Sequence, residues 1–144
     1  MFKALLSASV VTFLAVPLAQ AETFEVLMLN RGAEGTMVFE PAFVAAAVGD
    51  TIHFIATDPG HNVETIEGML PAGATATETE NGVDVMMTVE VEGLYGVKCT
   101  PHFAMGMVAL IQVGAPVNLA DVTAVTLRGK AKARFEPLLA QVTE

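Results

Sequence analysis

The sequence predicts an all-β sandwich followed by a short helical tail. Three observations carry that reading. About seven short runs rich in β-branched and aromatic residues follow one another, separated by turn residues at close spacing. No helical period intervenes among them. From about residue 117 the pattern changes, and apolar residues recur three and four positions apart.

The first residues read as an address rather than as structure. Met1-Phe2-Lys3 is a short basic start, Ala4 to Leu18 is almost wholly apolar, and Ala19-Gln20-Ala21 is an Ala-x-Ala processing signal. This predicts a cleaved secretory leader over residues 1–21, its apolar centre too short for a membrane span. One domain, residues 22–144, is expected to follow, soluble in a bacterial-type periplasm and with no membrane insertion.

Thr23 to Leu29 mixes alternation with β-branched residues and reads as a strand. Asn30 to Gly35 is a turn. Thr36 to Phe39 is a second strand, broken at Glu40-Pro41 because proline has no N–H for a ladder. Phe43 to Val48 ends at the turn pair Gly49-Asp50, and Thr51 to Thr57 ends at Asp58-Pro59-Gly60. Residues 61–82 read as loop. Val83 to Val91, Leu94 to Cys99 and Met107 to Val113 complete a set expected to pair antiparallel. Asn118 is placed to cap a helix through Val125, with Asp121 in its first turns. Lys130 to Val142 reads as a second helix, with Phe135, Leu138, Leu139 and Val142 on one face and Pro137 interrupting it. The tail is expected to pack on the sandwich.

Charge narrows the function. Without Lys3 the chain carries six Lys and Arg against sixteen Asp and Glu, a net charge near −10. That excludes nucleic acid and anionic membrane as partners. Arg128, Lys130, Lys132 and Arg134 crowd the tail, leaving Arg31 and Lys98 for the rest.

Cys99 is the only cysteine. In an oxidising compartment a lone thiol is either buried and inert or held by a metal. Its neighbours favour the second reading. Tyr95, Val97 and Cys99 share one strand face, the Thr100-Pro101 turn brings His102 back, and Met105 and Met107 follow. Thiolate and thioether are soft donors suited to copper, and a His₂Cys set with a weak axial Met describes an electron-transfer copper centre. A second histidine is then required. His61, at a loop edge after Asp58-Pro59-Gly60, suits better than His53, which lies mid-strand on the face opposite Ile52 and Phe54. Met105 and Met107 both remain open as the axial donor, Met107 being fixed by a strand.

His61…Cys99-x-x-His102-x4-Met107, with EVLMLN, MVFEP, GHNVETI-x-GM and YGVKCTPH, resembles the blue copper proteins, the cupredoxins. The GHNVE stretch and the helical tail make the chain most similar to the pseudoazurin group. The resemblance implies a Greek-key sandwich of about eight strands and one copper on His61, Cys99, His102 and axial Met107. It implies supporting roles for Asn62, Thr100, Pro101 and Met37. It further implies an apolar docking patch of Met37, Pro101, Phe103, Ala104 and Met105 around the His102 edge.

The expected function is a monomeric periplasmic one-electron shuttle that transforms no substrate. It would dock transiently with redox proteins such as a c-type cytochrome, nitrite reductase or another periplasmic oxidoreductase. Such proteins commonly ring the patch with lysines, whereas Pro59 and Glu67 stand at such positions here. A basic or neutral partner surface is therefore expected. The rival readings are a copper carrier without redox shuttling and a zinc or structural domain. A multicopper oxidase domain would need more histidines than the three present.

Overall fold

The computed structural model describes residues 20–144, so the expected leader lies almost wholly outside the described residues. Eight strands follow in order: β1 Thr23–Gly32, β2 Gly35–Glu40, β3 Phe43–Ala46, β4 Thr51–Ile55, β5 Glu64–Thr65, β6 Val85–Thr88, β7 Gly93–Lys98 and β8 Val108–Val113. The tail forms α1 Leu119–Ala124 and α2 Gly129–Leu139. The strands make two four-stranded sheets, ordered β2-β1-β4-β6 and β3-β8-β7-β5.

The pairing is mixed rather than wholly antiparallel. β1 runs parallel to β4, and β3 runs parallel to β8. The reason is topological: the chain leaves the first sheet after β2, lays β3 in the second, and returns to the first with β4. A strand that comes back after visiting the other sheet need not reverse direction against its neighbour. β5 is the strand absent from the sequence reading. Its two residues pair with Lys98 and Val97 of β7, and threonines hold the surrounding loop to it. The Thr65 hydroxyl accepts from the Thr77 N–H at 3.1 Å, and the Thr79 hydroxyl accepts from the Val63 N–H at 3.0 Å.

Between the sheets lies an apolar core that includes Val26, Met28, Phe39, Ile52, Phe54, Tyr95, Val97 and Cys99. Phe39 and Phe54 meet edge to face, centroids 5.6 Å apart. A second cluster lies outside β7 and β8, where Ile66, Met69, Leu94, Leu110, Val122, Ala131, Phe135 and Leu138 pack together. Every residue of β8 is therefore buried, and β7 is buried up to Lys98. This double coverage explains why MVALIQV shows no alternation. Gly96 in β7 is needed for it, since a Cβ there would sit 2.5 Å from the Met69 sulfur.

Asn118 stands at the N-cap of α1, yet makes no capping hydrogen bond with its side chain. Its side chain faces inward, accepting from the Leu94 N–H at 2.7 Å and donating to the Leu94 carbonyl at 3.0 Å. A buried amide with both ends satisfied pins the tail to β7. α2 runs through Pro137 and ends two residues later. Pro137 has no N–H to give the Ala133 carbonyl, so α2 loses one bond of its ladder just before it ends. His53 stands on the outer face beside Asp84, at 3.7 Å, away from the core residues Ile52 and Phe54.

Phe135 is the largest side chain that the tail buries, at 2% exposure. Phe135→Ala should cost about 3–5 kcal/mol of unfolding free energy, read from urea denaturation of the metal-free protein.

Candidate metal centre

Three segments meet at one end of the sandwich. The loop after β4 carries His61. The chain leaving β7 carries Cys99. A 3₁₀ stretch, Thr100–Met105, carries His102 and leads to Met107 just before β8. Backbone bonds close this last loop: the Cys99 N–H donates to the Met107 carbonyl at 3.0 Å, and the Met107 N–H to the His102 carbonyl at 3.2 Å. Gly106 makes the reversal with a left-handed φ of 87°.

The donor atoms converge. His61 Nδ1 and His102 Nδ1 lie 3.1 Å apart. Cys99 Sγ lies 3.8 Å from the first and 3.4 Å from the second. The centre of this triangle is about 2.0 Å from each corner, close to a metal–imidazole bond length. Among the described residues, His61, Cys99 and His102 form the one group of His, Cys, Asp and Glu donors close enough to hold a metal ion. Met107 is fully buried and packs in the same core cluster as Cys99. Met105 is exposed at 38%, which favours Met107 as the fourth donor. His53 takes no part.

The surrounding groups set the ligand chemistry. His61 Nε2 faces Asn30 Oδ1 at 2.9 Å, and a carbonyl oxygen only accepts. The proton therefore sits on Nε2, leaving the Nδ1 lone pair aimed at the triangle. Burial pushes the His61 pKa down, the neighbouring His102 adds to this, and Asp58 opposes it. Burial pushes the Cys99 thiol up, while hydrogen bonds from the backbones of Asn62 and His102 pull it back. A neutral imidazole and a protonated thiol are thus the resting forms without a metal.

Asn62 joins the two loops. Its Oδ1 accepts from the Thr100 N–H at 2.7 Å, and its Nδ2 donates to the Thr100 hydroxyl and the Thr79 carbonyl, each at 3.2 Å. The Thr100 hydroxyl in turn donates to Glu64. Glu64 pairs with Lys98 at 3.3 Å, and the ammonium lies 5.3 Å from the Phe103 ring centroid. The Thr100 hydrogen bond is the main cause lowering the Glu64 pKa, with Lys98 adding to it. Pro101, Ala104 and Met105 are exposed, and His102, Phe103 and Met37 half-buried, around the loop tip.

Sequence reasoning missed three contributors. Asn30 lies 31 residues from the histidine that it orients, and no local pattern links them. Glu64 was read only as part of a motif. Arg134, counted with a basic tail, reaches the Met37 and Gly106 carbonyls at 2.8 and 3.3 Å.

Comparison with known proteins places this arrangement. Residues 26–114 match the family described as copper binding proteins, plastocyanin/azurin family. The chain is 52% identical to the pseudoazurin of Paracoccus pantotrophus over 123 residues, covering 85% of each chain. The crystal structure of pseudoazurin from Methylobacterium extorquens AM1 superimposes with a TM-score of 0.81 at 46% identity, covering 83% of this chain and 98% of that one. The plastocyanin of Ulva pertusa is 33% identical over 91 residues, which covers 57% of this chain and 92% of the relative. Likeness to this plastocyanin thus extends over little more than half the chain, while likeness to these pseudoazurins in sequence and fold extends over most of it. The chain belongs to the pseudoazurins, a group within the copper-binding plastocyanin/azurin family.

Proposed function

We propose that the protein is a periplasmic one-electron shuttle in which His61, Cys99, His102 and Met107 hold one copper ion. The observation that carries this reading is the triangle of two imidazole nitrogens and a thiol already drawn to 3.1–3.8 Å. Copper held there would supply reversible Cu(II)/Cu(I) chemistry, and two imidazoles with a thiolate and a thioether are a donor set that suits it. The chain's own part is to keep the donors still. Asn30 fixes one imidazole, Asn62 fixes the Cys99 loop, and two backbone bonds fix Met107 against Cys99 and His102. Donors held this way move little between oxidation states, which favours fast transfer.

Of the three triangle donors only His102 has solvent exposure. Its edge, within the patch of Met37, Pro101, Phe103, Ala104 and Met105, is the doorway for electrons. No substrate is transformed, and the monomer meets partners briefly over a small apolar contact. The periplasmic setting rests on the leader-like residues 1–21.

Charge selects the partner. Lys98 is neutralised by Glu64 and lies against Phe103, so the retained lysine adds little free positive field. Glu67, Glu78, Glu80 and Asp84 are exposed. The partner surface is therefore basic or neutral, as on a c-type cytochrome or a suitable nitrite reductase or other oxidoreductase. The second-order rate with a basic c-type cytochrome should fall as salt rises in stopped-flow mixing; a rate that rises with salt refutes this choice of partner.

Adding Cu(II) to the metal-free protein should produce an intense blue thiolate-to-copper band, with reversible voltammetry. Cys99→Ser should lose the colour altogether. A copper carrier without redox shuttling would show an exchangeable metal and no reversible couple.

Uptake should also release protons. The thiol is protonated at neutral pH because burial raises it, while His61 is already neutral. Loading at pH 7 should liberate about one proton per copper, measured with an indicator dye in weak buffer. In Cys99→Ser that release should vanish.

A further inference from the structure

The guanidinium of Arg134 occupies a junction that neither the ligand set nor the docking patch accounts for. Arg134 projects from α2 toward the metal end of the sandwich. Its Nη1 donates to the Met37 carbonyl at 2.8 Å and to the Gly106 carbonyl at 3.3 Å. Its Nη2 lies 3.1 Å from where a Cβ on Gly35 would stand. One half-buried cation therefore touches the β1–β2 hairpin and the ligand loop together.

Both carbonyls are in unusual backbone. Met37 has a φ of 53°, a region that residues with a Cβ disfavour. Gly106 has a φ of 87°, and a Cβ on it would meet Arg134 Cδ at 2.8 Å and the Lys130 carbonyl at 2.9 Å. Gly106 thus allows α2 to lie directly on the loop, immediately before Met107. The hairpin on the other side carries Asn30, which orients His61.

We infer that Arg134 is a positioning residue for the metal centre, clamping the Met107 end of the ligand loop to the hairpin that orients His61. A charged donor shared between two carbonyls makes stronger bonds than a neutral one. Both bonds leave one nitrogen, Nη1, whose two hydrogens serve the two carbonyls. The helical tail is then part of the site's frame as well as a cover for β7 and β8.

The inference rests on the proposed copper ligands, and the experiment separates the two. Wild-type protein is titrated with Cu(II) alone; absence of a blue species there defeats the ligand assignment itself. Arg134→Met and Arg134→Lys are then compared with wild type. Arg134→Met should bind copper about tenfold more weakly and change the ratio of the visible absorption bands and the reduction potential. Arg134→Lys should restore part of each. In the metal-free proteins, amide exchange at Gly106 and Met107 should quicken in Arg134→Met, while amides in β8 remain protected. Should Arg134→Met fail to fold, Arg134→Lys alone must still shift the band ratio and the two amides in the same sense. Wild-type band ratio, potential and exchange in a folded variant would overturn the inference.

Discussion

The site depends on one side chain that joins two distant parts of the chain. The segments that carry His61 and Cys99 are joined by the two-residue pairing of β5 with β7. Asn62 supplies what that short ladder cannot. Its amide closes on the Thr100 backbone, the Thr100 hydroxyl and the Thr79 carbonyl. A half-satisfied amide in this place would be costly, and a fully satisfied one specifies a single arrangement. The network continues through Thr100 to Glu64 and Lys98, so the order of the buried loop extends to the surface beside Phe103.

Beneath that junction the frame is stiff because β7 and β8 are covered on both faces. The inter-sheet core holds one face and the tail helices hold the other. Cys99 follows directly on β7 and Met107 directly precedes β8. The two sulfur-bearing residues are thus attached to the most deeply buried strands in the molecule. Each large apolar side chain that the tail buries contributes about 1.5–3 kcal/mol, which stabilises the strands and, through them, the loop between.

Much of this was legible in the sequence, for reasons that differ from element to element. Strand runs and the turns at Glu40-Pro41, Gly49-Asp50 and Asp58-Pro59-Gly60 are local signals, and they fall where the structure bends. Cys99 and His102 lie three residues apart, so their convergence could be read from spacing. His61 required elimination among three histidines. What escaped was non-local. The parallel pairs β1–β4 and β3–β8 arise from the path between sheets, which no strand encodes by itself. β5 is too short for a periodic signal. Asn118 looked like a cap because its neighbourhood is helical, yet its partner is Leu94, twenty-four residues earlier. Arg134 looked like one charge among several on an exposed helix face, and only the folded tail brings it to Met37 and Gly106.

Burial links stability, metal uptake and exposure in a single arrangement. The same apolar surroundings raise the Cys99 thiol and lower His61, favouring the uncharged form of both donors. An uncharged site can be buried at little cost, since a lone thiolate or imidazolium there would lack solvation. A thiolate becomes favourable only when a cation accompanies it, so the desolvated pocket selects for a metal that binds thiolate strongly. His102 differs from the other donors in reaching solvent, and it sits amid half-buried and exposed apolar residues rather than charges. The proposed electron path therefore leaves through one imidazole edge, while His61 and Cys99 are kept from water.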